Sequence, residues 1–151
     1  MGLYAAAAES ISVSSGMATL LEVDQGANRY ATITEASVTF SGVSSTDVPV
    51  LVEFCNVTSS SASGTAVTVS SLRANQASPN ATAKKAPATE GTVNIWKAYM
   101  VPPSSGLVIQ YPQGREPQIV GAAGYQSGFS IRANRGAGAA INADANIEFE
   151  E

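Results

Sequence analysis

Residues 33–42 read Ile33-Thr34-Glu35-Ala36-Ser37-Val38-Thr39-Phe40-Ser41-Gly42. Ala36, Val38 and Phe40 alternate with Glu35, Ser37 and Thr39, the period of a strand with one face buried. Ile33 falls out of phase with that set, so a β-bulge is expected near Thr34. A loop at Ser44-Ser45-Thr46-Asp47 leads into residues 48–57, where Val50, Val52 and Phe54 share one face and Leu51 and Cys55 the other. Such a run reads as a central strand, and Glu53 within it needs a partner or an edge.

The same pattern extends outward in both directions. Residues 18–23 form a short apolar run that stops at the turn Gln25-Gly26-Ala27-Asn28. Residues 58–64 read as a flexible hairpin connection, and 65–72 alternate at Val67 and Val69. Residues 73–91 read as the longest polar loop. Residues 93–101 return as a strand carrying Ile95, Trp96, Tyr99 and Met100, ended by Pro102-Pro103, neither of which can donate to a ladder. Residues 107–111, 117–120, 128–133 and 145–149 supply four more strands. Eight or nine short strands with regular turn signals and no convincing helix predict an all-β fold, an antiparallel β-sandwich or jelly roll.

No break in composition divides the chain, so residues 17–151 are expected to form one domain. After Leu3 and Tyr4, residues 2–16 are small and polar, and their four-alanine run is too short to hold a helix. They read as an extended N-terminal arm that orders on a neighbour.

Composition restricts the chemistry. The 151 residues include no histidine, one cysteine and 13% charged side chains, against roughly 25% in a typical domain. Ser–His–Asp and Cys–His nucleophiles and His-ligated metal sites are therefore closed to this chain. Gly121-Ala122-Ala123-Gly124 and Gly136-Ala137-Gly138 lack the spacing of a dinucleotide loop and read as turns. Asn142-Ala143-Asp144-Ala145-Asn146 places three oxygen-bearing side chains at alternate positions, but without the glycine and distal glutamate of a calcium loop, and reads as a turn. No pairing of the carboxylates follows from their spacing. We expect no catalytic residues, no metal, no cofactor and no enzymatic activity.

The net charge of −4 argues against nucleic acid and anionic membranes, which require clustered Lys and Arg. Only Lys84-Lys85 forms a basic pair, expected in a solvated loop. Cys55 reads as a buried, inert thiol. The N-terminus carries no basic, apolar export signal, so the sequons at Asn56 and Asn80 are read as chance and synthesis as cytoplasmic. One turn stands apart. Leu107-Val108-Ile109-Gln110-Tyr111-Pro112-Gln113-Gly114-Arg115-Glu116-Pro117 brings Tyr111, Gln113, Arg115 and Glu116 near one another, and Tyr and Arg are enriched at interface centres.

Several segments carry a resemblance: Thr19-Leu20-Leu21-Glu22-Val23, Val38-Thr39-Phe40-Ser41-Gly42, Val48-Pro49-Val50-Leu51-Val52-Glu53, Val101-Pro102-Pro103, Ile109-Gln110-Tyr111-Pro112-Gln113-Gly114-Arg115-Glu116 and Ile147-Glu148-Phe149-Glu150-Glu151. In these the chain resembles the small virion proteins of tailed bacteriophages that decorate or cement the head. The resemblance implies a β-sandwich that sits on the capsid surface, bound to the major capsid protein, as a homotrimer at three-fold or quasi-three-fold positions. Within it, the arm with Leu3 and Tyr4 would lie along a neighbouring subunit or add a strand to a sheet edge. Other readings are a tail or host-contacting fibre component, or a carbohydrate-binding β-sandwich.

Overall fold

Alternating strands bury one face only if a second layer covers it, and this chain supplies that layer from itself. The computed structural model describes residues 1–42, 48–122 and 127–151. The loop expected at 44–47 and half of the turn expected at 121–124 lie outside the described residues. The strands are β1 (Leu3–Val13), β2 (Ala18–Asp24), β3 (Tyr30–Ser41), β4 (Val50–Ser59), β5 (Thr65–Val67), β6 (Val69–Ser71), β7 (Thr82–Lys85), β8 (Thr92–Val101), β9 (Leu107–Gln110), β10 (Gln118–Val120), β11 (Gly128–Asn134) and β12 (Ile141–Glu150). All their pairings are antiparallel. Sheet I runs β10-β3-β12-β1-β6, with β9 also on β3, and sheet II runs β5-β7-β2-β11-β4-β8. The fold is a β-sandwich.

The expected bulge is present. Along the β3–β12 ladder Ile33 opposes Phe149 and Glu35 opposes Glu148, leaving Thr34 as the extra residue. That insertion lets Ile33 and Ala36 both face the core, where neither is exposed. In β4, Val50, Val52 and Phe54 face the core, and Glu53 meets Arg132 of β11.

Residues 2–16 do not form an arm. Their central part is β1, which lies inside sheet I between β12 and β6. Tyr4, Ala6 and Ala8 point into the core, then Ser10 takes a φ of +55° and a bulge resets the phase so that Ile11 and Val13 do the same. The core face of β1 thus combines the small Ala6 and Ala8 with the larger Tyr4, Ile11 and Val13. Two further expectations change. Lys84 and Lys85 belong to β7 rather than to a loop, and Asn142, Asp144 and Asn146 lie within β12, where Ala143 and Ala145 between them are fully buried.

Candidate functional site: an exposed apolar edge strand

Strand β8 forms one margin of sheet II, with β4 on one side and no described strand on the other. Of its ten residues only Val101 is buried. Ile95 is 58% exposed, Trp96 42%, Tyr99 36% and Met100 63%. The register assigns their faces. Tyr99 opposes Val52 and Lys97 opposes Phe54 on the core-facing side, while Met100, Ala98 and Ile95 oppose Leu51, Glu53 and Cys55 on the outer side. The pairing skips Trp96, which is the extra residue of a bulge. Both faces of the strand therefore offer apolar side chains to solvent, and Lys97 is its only charge.

The remaining margins differ. Strands β5, β6 and β10 have three residues each and β9 has four, and beside β6 the flank of β1 at residues 7–13 has no described strand partner but exposes Ala7, Glu9, Ser10 and Ser12 rather than large apolar side chains. Short edges limit unwanted pairing because they offer little unpaired backbone. Strand β8 has a full-length edge and large apolar side chains together.

The β3 bulge also builds the turn that the sequence singled out. Tyr111 donates its N–H to the carbonyl of Thr34 at 2.9 Å, and Ile33 donates to the carbonyl of Pro117 at 2.9 Å. Residues 111–117 thus bridge β9 and β10 across the bulge. Arg115 donates to the Pro112 carbonyl at 2.9 Å, a closure that needs Gly114 at φ +82°. Gln113 and Arg115 are exposed and Glu116 is half-buried. Tyr111 turns the other way, into the gap between the sheets. Its ring lies 5.9 Å from that of Trp96 and 6.4 Å, edge-on, from Phe129, with Lys97 Nζ 5.9 Å from its centroid. Burial pushes the Tyr111 hydroxyl well above its usual pKa, with the Tyr99 phenol adding to the rise, and among the described residues its oxygen has no hydrogen-bond partner. Tyr111 therefore supports β8 from beneath and separates from Gln113, Arg115 and Glu116.

Leu3 and Tyr4 are held within the fold as well. Leu3 donates its N–H to Gln76 Oε1 at 2.7 Å, and its carbonyl accepts from Gln76 Nε2 at 2.8 Å and the Leu72 N–H at 2.9 Å. The Tyr4 hydroxyl donates to the Ala77 carbonyl at 2.8 Å, and its ring stacks on Phe149 at 5.8 Å.

The outer face of sheet II holds a layer of engaged charges. Glu22 is fully buried, and Ser61 donates its N–H at 2.9 Å and its hydroxyl at 2.6 Å to the two carboxylate oxygens. Lys84 Nζ lies 2.8 Å from Asp24 and 3.3 Å from Glu22. Burial alone would lower the Lys84 pKa, but Asp24 and then Glu22 outweigh it and raise the value. Arg132 reaches Glu53 at 4.0 Å and Glu90 at 3.9 Å, and Glu90 accepts the Thr19 N–H at 2.7 Å. Residues around Ser61 and Glu90, joined by the bridge between Ala62 and Thr89, cover this layer. Burial pushes the Cys55 thiol up to about 11, against the charge of Arg132. These acids hold the cover in place, and among the described residues no group of three or more His, Cys, Asp or Glu is placed to hold a metal ion.

Sequence reasoning found β8 as a strand but did not single it out as a surface. The available signal was its break in alternation, with Ile95-Trp96 adjacent and Lys97 on the core-facing side. Set against known proteins, the chain matches no family model, no curated protein and no solved structure.

Proposed function

We propose that this chain is a non-enzymatic structural protein of a tailed-phage virion. It decorates the capsid surface and stabilises it through non-covalent contact with the major capsid protein and with copies of itself. The observation that carries the contact role is β8, a ten-residue edge with four large apolar side chains in solvent. Large apolar side chains gathered in solvent along one edge strand, rather than scattered singly, point to an interaction surface.

Other features support the reading. The resemblance in segments such as residues 38–42 and 109–116 supplies the virion setting. Few long charged side chains are available to be immobilised, which lowers the entropic cost of forming lattice contacts. Glu22, Asp24, Glu53 and Glu90 are tied into ion pairs and hydrogen bonds, leaving them poorly placed for acid–base work.

The test adds purified protein to phage heads that lack it, followed by sedimentation and heating. The expected outcome is saturable binding and a higher temperature of head disruption. Binding to tails alone would transfer the protein to the tail, and binding only to glycans would replace the structural role with a carbohydrate-binding one.

A further inference from the structure

We infer that the cavity beside the first residues of β1 and the last of β12 binds a small hydroxylated carboxylate, the chemistry of a uronic acid, with Arg29 holding its carboxyl group. The inference goes beyond the decoration role and does not depend on it.

Three segments meet at this end of sheet I. Gly2 and Glu151 join β1 to β12 by backbone bonds of 2.7 and 3.1 Å. Residues 76–80 pack against that pair. Gln76 clamps Leu3 at both its N–H and its carbonyl, and the Ala77 carbonyl accepts from the Tyr4 hydroxyl. The turn at residues 25–29 contributes Arg29 and is itself held. Asn28 donates its N–H to the Gly121 carbonyl at 2.7 Å, and the Arg29 carbonyl accepts from the Gly121 N–H at 2.9 Å. The cavity has a volume of about 370 Å³, and its lining includes Gly2, Tyr4, Arg29, Ala77, Ser78 and Asn80. That volume falls within the roughly 300–1,000 Å³ of small-molecule sites. Its walls are tied down before a ligand arrives, so little ordering entropy opposes binding.

Charge decides the ligand. Glu151 also lines the cavity, but both of its side-chain oxygens are engaged, one by the Asn80 N–H and the other by Gln25 Nε2 at 2.9 Å. The Gln76 amide is engaged by Leu3 and Ser71. Arg29 has no ion pair or side-chain hydrogen bond among the described residues, and its guanidinium is the one uncommitted charged side chain they bring to the lining. A guanidinium fork matches a carboxylate with two parallel hydrogen bonds. The Glu151 charge in the same lining opposes a doubly charged phosphate more than a singly charged carboxylate. The side chains of Ser78 and Asn80 are likewise without partners among the described residues. They offer a hydroxyl and an amide to the hydroxyl groups of a ligand.

Titration of the full chain with glucuronate, followed by amide chemical shifts in two-dimensional NMR, tests the site. Glucose and inorganic phosphate are titrated in parallel. The expected result is saturable binding of glucuronate at about 1 mM, read at Gly2, Ser78 and Asn80. Glucose and phosphate should each bind roughly tenfold more weakly or not at all. Arg29→Gln should weaken glucuronate roughly tenfold or more, because hydrogen bonds between charged groups are lost. Its melting temperature should be unchanged, since Arg29 is exposed. Arg115→Gln, which alters an exposed arginine outside the cavity, should leave binding intact. Glucose or phosphate binding as tightly as glucuronate would overturn the carboxylate assignment. Absence of saturable shifts at these residues, or binding unaffected by Arg29→Gln, would overturn the site.

Discussion

Strands β1 and β8 have almost the same length, eleven and ten residues, and opposite fates. Strand β1 is rich in alanine and lies between β12, which pairs with it from Leu3 to Val13, and β6, which pairs with it at Tyr4–Ala6. Strand β8 carries Ile, Trp, Tyr and Met and lies at a margin with those side chains in water. Hydrophobicity alone would exchange their places. The difference is one of pairing: the alanines of β1 sit between larger core anchors, Tyr4, Ile11 and Val13, in a strand held along its length by β12, while the bulky residues of β8 gather at a margin with no described strand beyond it. In β1, apolar side chains hold the fold, and in β8 they remain available for contact.

Tyr4→Ala should break the comparison most severely. It removes a buried ring stacked on Phe149 together with the hydroxyl's bond to Ala77, and should cost about 3–5 kcal/mol in urea unfolding. The exposed pair Ile95→Lys and Met100→Lys should cost within about 0.5 kcal/mol in the same assay. Tyr111 sharpens the boundary between the two regions. Tyr111→Ala should cost about 3 kcal/mol by emptying the space under Trp96. Tyr111→Phe should gain about 1 kcal/mol, because the hydroxyl it deletes is buried without a partner among the described residues.

A small, pH-dependent effect lies beside β1. Glu148 of β12 faces Glu35 of β3 directly, and burial, then the Glu35 charge, raises its pKa. The folded state therefore holds this proton more tightly than the unfolded chain does. The pair costs stability at neutral pH, and the cost fades as pH falls through the raised value. Glu148→Gln should raise stability by about 0.5 kcal/mol at pH 7 and by nothing in acid, as read from urea midpoints across pH.

How far the sequence revealed these elements depends on side-chain contrast. The Thr34 bulge was readable because Ile33 and the Ala36, Val38 and Phe40 set are apolar enough to show a phase slip. The bulge in β1 does the same work, yet Ala6 and Ala8 stand out too little from Ala5 and Ala7 to register a pattern. In β12 the polar residues at 142, 144 and 146 drew attention, while the buried alanines between them carried the fold. Strand β7 is too short, within a polar stretch, to announce itself, and its Lys84 pairs with acids far away in sequence. The residues of β8 were all visible, but which strand ends a sheet depends on pairings that one sequence does not encode locally.

The most direct test of β8 as the working contact is hydrogen exchange, followed residue by residue in dilute protein and in assembled protein. Slowed exchange across residues 92–101 on assembly, with β6 and β10 unchanged, is the predicted result. Unchanged exchange in β8, with protection appearing on another surface, would contradict it.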